Sequence, residues 1–323
     1  MDIFLEPLEY EFFRHALLAA LMIGALCGLI GVYVILRGMS YVGHGLSHAA
    51  FGGAVVGFFL NLNFYAGAGA MGLVAALLID RITRSGKVKL DAAIGIVTTA
   101  MFALGVAIIS QARTSGLSFE AALFGNILGI TDGDLVVIGA VTAVNITAVV
   151  LLYRPLLFST FDHEAARIFG IRTGAVHLIF SLLLTLSIIA SMNVVGVTMI
   201  AATLIAPAMT ARMMTDSFSR MLIYACFIGA ATGVTGMYLS YIFNAASGAT
   251  IVLFGALLFC LAGLAKLVRQ KFALSVTLHR HGNLVHSHPH TGAHVRPPEK
   301  DEKMVEKEEF VTPKSVEPTQ KPV

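Results

Sequence analysis

The chain has 323 residues, of which 57% are hydrophobic and 13% charged, with a formal net charge of +3. A soluble domain carries about 25% charged residues. Here apolar runs near or above about 18 residues, enough to cross a hydrocarbon core of about 30 Å as a helix, recur as far as residue 268, which excludes a soluble globular domain.

The chain starts with acidic residues, Asp2, Glu6, Glu9 and Glu11, whereas a cleavable signal peptide begins with basic ones. The first span is therefore expected to be retained. Nine apolar segments follow, at 13–36, 43–62, 66–84, 90–112, 133–153, 177–192, 194–215, 219–243 and 248–268. Segment 177–192 is short, and Asn193 and Gly196 separate it poorly from the next, so the count is eight or nine. The expected fold class is all-α: a polytopic transmembrane bundle over residues 1–271, with residues 272–323 as a tail.

The first two spans carry small residues four apart, Gly24 with Gly28 and Gly53 with Gly57, and Gly229 with Gly233 repeats the spacing later. Such pairs let membrane helices approach closely and predict a compact bundle. At the start of the second span, His44 and His48 are four residues apart and share one helix face. Ionisable groups inside a span are costly and usually face a pathway, and neutral imidazole binds Mn, Fe, Zn and related ions. The plainer alternative is that both histidines hydrogen-bond to neighbouring helices. Ser47 supplies a helper hydrogen bond or bonds back to its own helix.

Arg81, Arg84, Lys87 and Lys89 form the strongest basic loop, which belongs on the cytoplasmic side. Arg154, Arg167, Arg172, Arg212 and Arg220 then fall on the same side, as does the C-terminus with Lys266, Arg269 and Lys271. Nine spans place the N-terminus outside and Arg37 inside, whereas eight place both termini inside if the lost crossing precedes the basic loop. Asp80 and Asp91 flank the basic loop as rim residues, and Asp132 and Asp134 precede a span, where they suit helix caps. No carboxylate relay for proton coupling is evident, which argues against a secondary transporter.

Between the fifth and sixth segments, Asp162 is placed to cap a short helix running to Phe169, with Gly170 as its terminator. Such a helix is either a connector or a docking element. Pro207 predicts a kink in its span. Cys27, Cys226 and Cys260 all lie in apolar segments and read as small core residues. The tail holds His286, His288 and His290 in alternation, a pattern that suits a metal buffer or sensor as well as an inert linker. From residue 295 it is dense in Glu and Lys and reads as disordered. No H-E-x-x-H, G-x-S-x-G or GxxxxGK[ST] motif occurs, so neither protease nor hydrolase chemistry nor ATP cleavage is expected of this chain itself.

Over residues 12–268 the sequence resembles the permease subunits of ABC importers for zinc, manganese and iron. The resemblance rests on Leu46-Ser47-His48-Ala49, Asp91-Ala92-Ala93-Ile94-Gly95-Ile96, Phe161-Asp162-His163-Glu164-Ala165-Ala166, Val194-Val195-Gly196-Val197 and Ile205-Ala206-Pro207-Ala208-Met209-Thr210. It implies a type II importer permease fold of eight spans in the plasma (inner) membrane. It also implies a homodimer, two cytoplasmic ABC ATPase subunits and an extracytoplasmic metal-binding protein, with no nucleic acid and no stably bound cofactor. The cargo would be a divalent Zn, Mn or Fe ion.

The resemblance further implies that Asp162, Glu164 and Gly170 lie in the region that meets the ATPase. The family's usual Gly-Asp-Ala-Leu-Ser-His reads Gly43-His44-Gly45-Leu46-Ser47-His48 here. The pathway histidine thus maps to His48, and His44 replaces an aspartate, which shifts preference from Mn toward Zn or Fe. A secondary metal transporter and an ABC permease for a metal chelate are the alternatives.

Overall fold

A computed structural model of the chain describes residues 5–84, 86–111, 123–125, 127–273, 277–281 and 284–288. The helices are α1 (Glu11–Leu36), α2 (Ser40–Phe59), α3 (Phe64–Arg84), α4 (Leu90–Gln111), α5 (Asp132–Leu151) and α6 (Tyr153–Phe161). They continue as α7 (His163–Ile168), α8 (Thr173–Val195), α9 (Ile200–Met214), α10 (Phe218–Phe243) and α11 (Ser247–Ala273). By internal contacts the chain divides into two units, Met1–Gln270 and Lys271–Val323.

Among the described residues, seven helices are long and apolar enough to cross a membrane: α1, α3, α4, α5, α8, α10 and α11. α2 matches them in length, with 20 residues, but His44, His48 and its serines dilute its apolar character. The expected segments 177–192 and 194–215 are redrawn. The first is the full-length element, 23 residues from Thr173 to Val195, and the second is short, with 15 residues. At 1.5 Å per residue α9 spans about 22 Å, less than a hydrocarbon core of about 30 Å. The chain leaves α8 at Gly196, whose φ of +85° suits glycine, and not at Asn193, which stays helical.

The small-residue pairs lie where helix backbones touch. A Cβ on Gly24 or Gly28 would collide with the backbone of Gly229 or Ala225, and one on Gly233 with that of Ala20. α1 and α10 thus pack backbone against backbone, and α2 meets α3 in the same way through Gly53, Gly57 and Gly67. In a bilayer, helix association rests largely on such close packing. α1 is mostly buried, whereas α11 turns Leu253, Leu257, Leu261 and Leu264 outward, as lipid-facing helices do.

One end of the bundle gathers the residues that the positive charges had grouped. Arg37, the end of α3, Leu90, Arg167 and Thr173 line a common cleft. Tyr153 and Ser219 hydrogen-bond at 2.7 Å, and the Phe218 ring packs on Tyr33, Tyr153 and Phe161. The three cysteines are free.

In the second unit, two strands, β1 (Thr277–His281) and β2 (Leu284–His288), pair antiparallel. The tail expected from 272 therefore contains regular structure. Its alternation of Leu278, Arg280, Val285 and Ser287 with histidines has the strand period of two. His290 and the charged stretch from 295 lie outside the described residues.

Candidate functional site

α2 positions the histidine pair. One helical turn apart, the Nε2 atoms of His44 and His48 stand 3.2 Å from each other, with ring planes nearly perpendicular. His44 is exposed and His48 half-buried, its ring edge-on to Phe102 of α4 at 4.8 Å between centroids. α4 comes this close because Gly45 and Gly52 leave room for Ile94, Thr98 and Met101. The second ring nitrogen of His48, Nδ1, is buried without a hydrogen-bond partner.

Ser47 sits between the histidines and is fully buried. Its Oγ lies 2.7 Å from the His44 carbonyl and 3.1 Å from the Val197 carbonyl, so one hydroxyl proton is shared between its own helix and the α8–α9 break. The back-bond to its own helix is present, and the second contact reaches a different element rather than a histidine ring. The break is held further by Thr198, whose N–H and Oγ1 both donate to the Leu123 carbonyl, at 3.4 and 2.9 Å. Gly125, Gly196 and Gly248 meet there at backbone contact. Non-helical backbone at membrane depth persists where protein groups satisfy it in this way.

From Ser47 to the far end of α2 at Phe59 the helix rises about 18 Å. The break therefore lies well below that end, level with the histidines. Periodicity within one segment shows neither Phe102 nor the Val197 carbonyl as a neighbour of the pair.

A polar triad joins three helices beside the break. Tyr65 of α3 donates to Asp134 of α5 at 2.5 Å and accepts from Asn193 Nδ2 of α8 at 2.9 Å. Thr131, not either aspartate, is the N-cap; Asp132 and Asp134 lie inside the first turn, where Asp134 closes a capping box with Thr131. Asp132, beside it, faces His15 at 3.3 Å.

Toward the basic end, a cleft of about 810 Å³ opens beside Val42 and Leu46 of α2. Arg37 anchors its floor, donating to Thr160 Oγ1 and Ser159 Oγ, each at 3.0 Å, with its guanidinium 4.3 Å over the Phe180 ring. Burial pulls this guanidinium down to about 10, which leaves it charged at neutral pH. His177 of α8 and Asp80 of α3 approach to 3.7 Å in the same cleft.

The segment holding Asp162, Glu164 and Gly170 folds as a capped short helix at this end. Asp162 Oδ1 accepts from the N–H groups of Glu164 and Ala165 at 3.0 and 2.8 Å. Gly170, at φ +75°, closes the helix as its N–H reaches the Arg167 carbonyl and that of Ile171 the Ala166 carbonyl, as in a Schellman motif. The helix ends at Ile168, with Phe169 as its cap, close to the expected boundary. Phe161, Ile168 and Phe169 are exposed around it.

Among the described side chains, no group of three or more His, Cys, Asp or Glu residues converges as a metal site. The histidine pair therefore stands alone, with no third such residue beside it among the described side chains.

Residues 9–266 match the family described as the ABC 3 transport family. The manganese transport system membrane protein MntC of Halalkalibacterium halodurans is 39% identical over 257 residues, covering 80% of this chain and 88% of that protein. A probable iron transport system membrane protein of Haemophilus influenzae is 35% identical, covering 81% of this chain and 96% of that one. The solved structure of PsaBC from Streptococcus pneumoniae in complex with Fab superposes with a TM-score of 0.75 at 34% identity, covering 81% and 94%.

Proposed function

The chain belongs to the ABC 3 transport family, and on that premise we propose that it is the permease of an ATP-driven importer of a divalent transition-metal ion. The ion passes His44 and His48. The observation that carries this reading is the 3.2 Å separation of the two Nε2 atoms. Two metal–imidazole bonds of about 2.0–2.1 Å at a tetrahedral angle place their nitrogens about 3.3–3.4 Å apart. The pair has the bite of a bidentate ligand for one ion, and between ions the two nitrogens share a single proton.

Two ligands without a third hold an ion weakly, and weak binding lets it leave. The unpartnered Nδ1 of His48 works in the same direction. Metal-bound imidazoles are usually steadied by a hydrogen bond from the other nitrogen, whose loss costs about 10–100-fold in affinity. Manganese and iron in the names of the relatives support the class of cargo. His44, in place of the family aspartate, moves the preference from Mn toward Zn or Fe by exchanging an anionic oxygen for a neutral nitrogen.

ATP is bound and split in a partner subunit, two copies of which meet a homodimer of this chain. The capped helix bearing Asp162, Glu164 and Gly170 is the contact that carries the stroke, and an extracytoplasmic metal-binding protein delivers the ion. The test is ATP-dependent uptake of radioactive Zn, Mn and Fe into vesicles holding the chain with its ATPase and binding protein. Uptake that needs ATP and is abolished in a His44→Ala/His48→Ala variant supports the reading. ATP-dependent uptake that survives the double substitution removes the histidines from the path. Uptake driven by a proton gradient without ATP overturns the importer class.

A further inference from the structure

The register of the C-terminal hairpin brings together histidines that the sequence separates. His279 stands opposite His286, Thr277 opposite His288 and His281 opposite Leu284. On an antiparallel ladder, directly opposed residues share a face, and so do residues two apart along one strand. His279, His281, His286 and His288 therefore belong to one face of the hairpin. Leu278, Arg280, Val285 and Ser287 belong to the other.

The sequence itself favours this pairing. Between the strands stand two residues, Gly282-Asn283, a dipeptide typical of the tightest hairpin connections. A histidine-rich run with no turn signal would carry no such implication. The alternating run His286, His288 and His290 is thus recast, because β1 contributes two histidines that a reading along one segment does not join to it.

We propose that the opposed pair His279 and His286, with one same-face neighbour two positions along a strand, His281 or His288, forms a binding site for a borderline divalent ion such as Zn2+, separate from the transport pathway. Opposed positions lie about 4.5–5.5 Å apart at Cβ, and positions two apart along a strand about 6.6–6.8 Å apart. The opposed pair and one neighbour fall within these spacings, whereas His281 and His288, four positions apart in the register, are separated by about 14 Å and belong to alternative sets. An all-nitrogen set favours Zn, Cu or Ni over Mn, which prefers oxygen. A lone two-stranded hairpin is marginal in water, so an ion bridging both strands supplies a cross-link that packing does not. Because only neutral imidazole binds, protons compete with the ion and affinity falls as the pH is lowered.

The experiment is a Zn2+ titration of the purified full-length chain in detergent against a chromophoric chelator, which reads stoichiometry and affinity. His279→Ala/His286→Ala removes the opposed pair and is expected to lose one zinc equivalent or at least 100-fold in affinity. Leu284→Pro keeps every histidine but takes a backbone donor out of the ladder, and is expected to weaken the site at least tenfold. His290→Ala/His294→Ala and His44→Ala/His48→Ala are expected to leave this equivalent in place. Unchanged binding in the His279/His286 variant overturns the site. Unchanged binding in Leu284→Pro overturns the hairpin face in favour of a flexible histidine run. Since the pathway histidines are scored in their own variant, either failure stands apart from the transport reading.

Discussion

Ser47 donates across 150 positions of sequence to the carbonyl of Val197, and this contact ties the histidine-bearing turn of α2 to the break between α8 and α9. The other candidate acceptor, the His44 carbonyl, belongs to its own helix. A movement of the break would therefore be felt at the histidines through one hydroxyl.

Ser47→Ala removes that hydroxyl and leaves the Val197 carbonyl without it, a loss of about 1–3 kcal/mol for a buried group. A lowered thermal midpoint in detergent and slower ion uptake at normal membrane levels are expected. A variant with unchanged midpoint and uptake would show that the tie is idle.

His44→Asp restores an anionic oxygen opposite His48. The ratio of Mn to Zn uptake is expected to rise by about tenfold, equivalent to about 1.4 kcal/mol. Competition uptake with both ions present reads it directly, and an unchanged ratio refutes the role given to His44.

Gly28→Val places a branched side chain against the backbone of Ala225, where nothing flexible can yield. Failure to accumulate in the membrane is expected, as separating packed helices costs several kcal/mol. Gly95→Ala, whose Cβ meets nothing within 4 Å, is the matched control and should accumulate normally.

Tyr65→Phe deletes the hydroxyl that Asp134 accepts from and that Asn193 donates to. Destabilisation of about 1–3 kcal/mol is expected from two polar groups losing a partner, visible as a lower melting temperature. Asp134→Ala should cost more, since it also opens the capping box with Thr131.

Gly170→Ala meets open space, so only the backbone angle of +75° opposes it. The cost should be about 1 kcal/mol and local to the capped helix. If that helix transmits ATP hydrolysis, uptake per ATP consumed falls while ATPase activity persists. Uptake and hydrolysis falling in step would argue for simple misfolding.

Much of the bundle was legible because membrane helices announce themselves by length and apolarity. The glycine pairs identified seams, and Asp162 with Gly170 marked both ends of a short helix. What the sequence hid was depth. Asn193 and Gly196 mark the junction equally weakly in sequence, yet Asn193 is helical, bonded to Tyr65, and the break falls at Gly196 against Leu123 and Gly125. The i,i+4 spacing showed His44 and His48 as neighbours, but Phe102 and Val197 reach them from other helices, and no local pattern encodes such meetings. The hairpin is faint in the sequence because histidine fills one face and the other mixes Leu278 and Val285 with Arg280 and Ser287, which leaves Gly282-Asn283 as the main signal.

The seam between α1 and α10 has a consequence for motion. Where glycine backbones meet directly, there are no rotamers to freeze and no alternative interlocking of side chains to adopt. Sliding along such a joint would bring side chains of neighbouring residues against the backbone carbonyls that the glycines now face. The two helices form a keel, and if the importer opens and closes, the movement falls to joints built from side chains and shared protons, with the Ser47–Val197 contact among them.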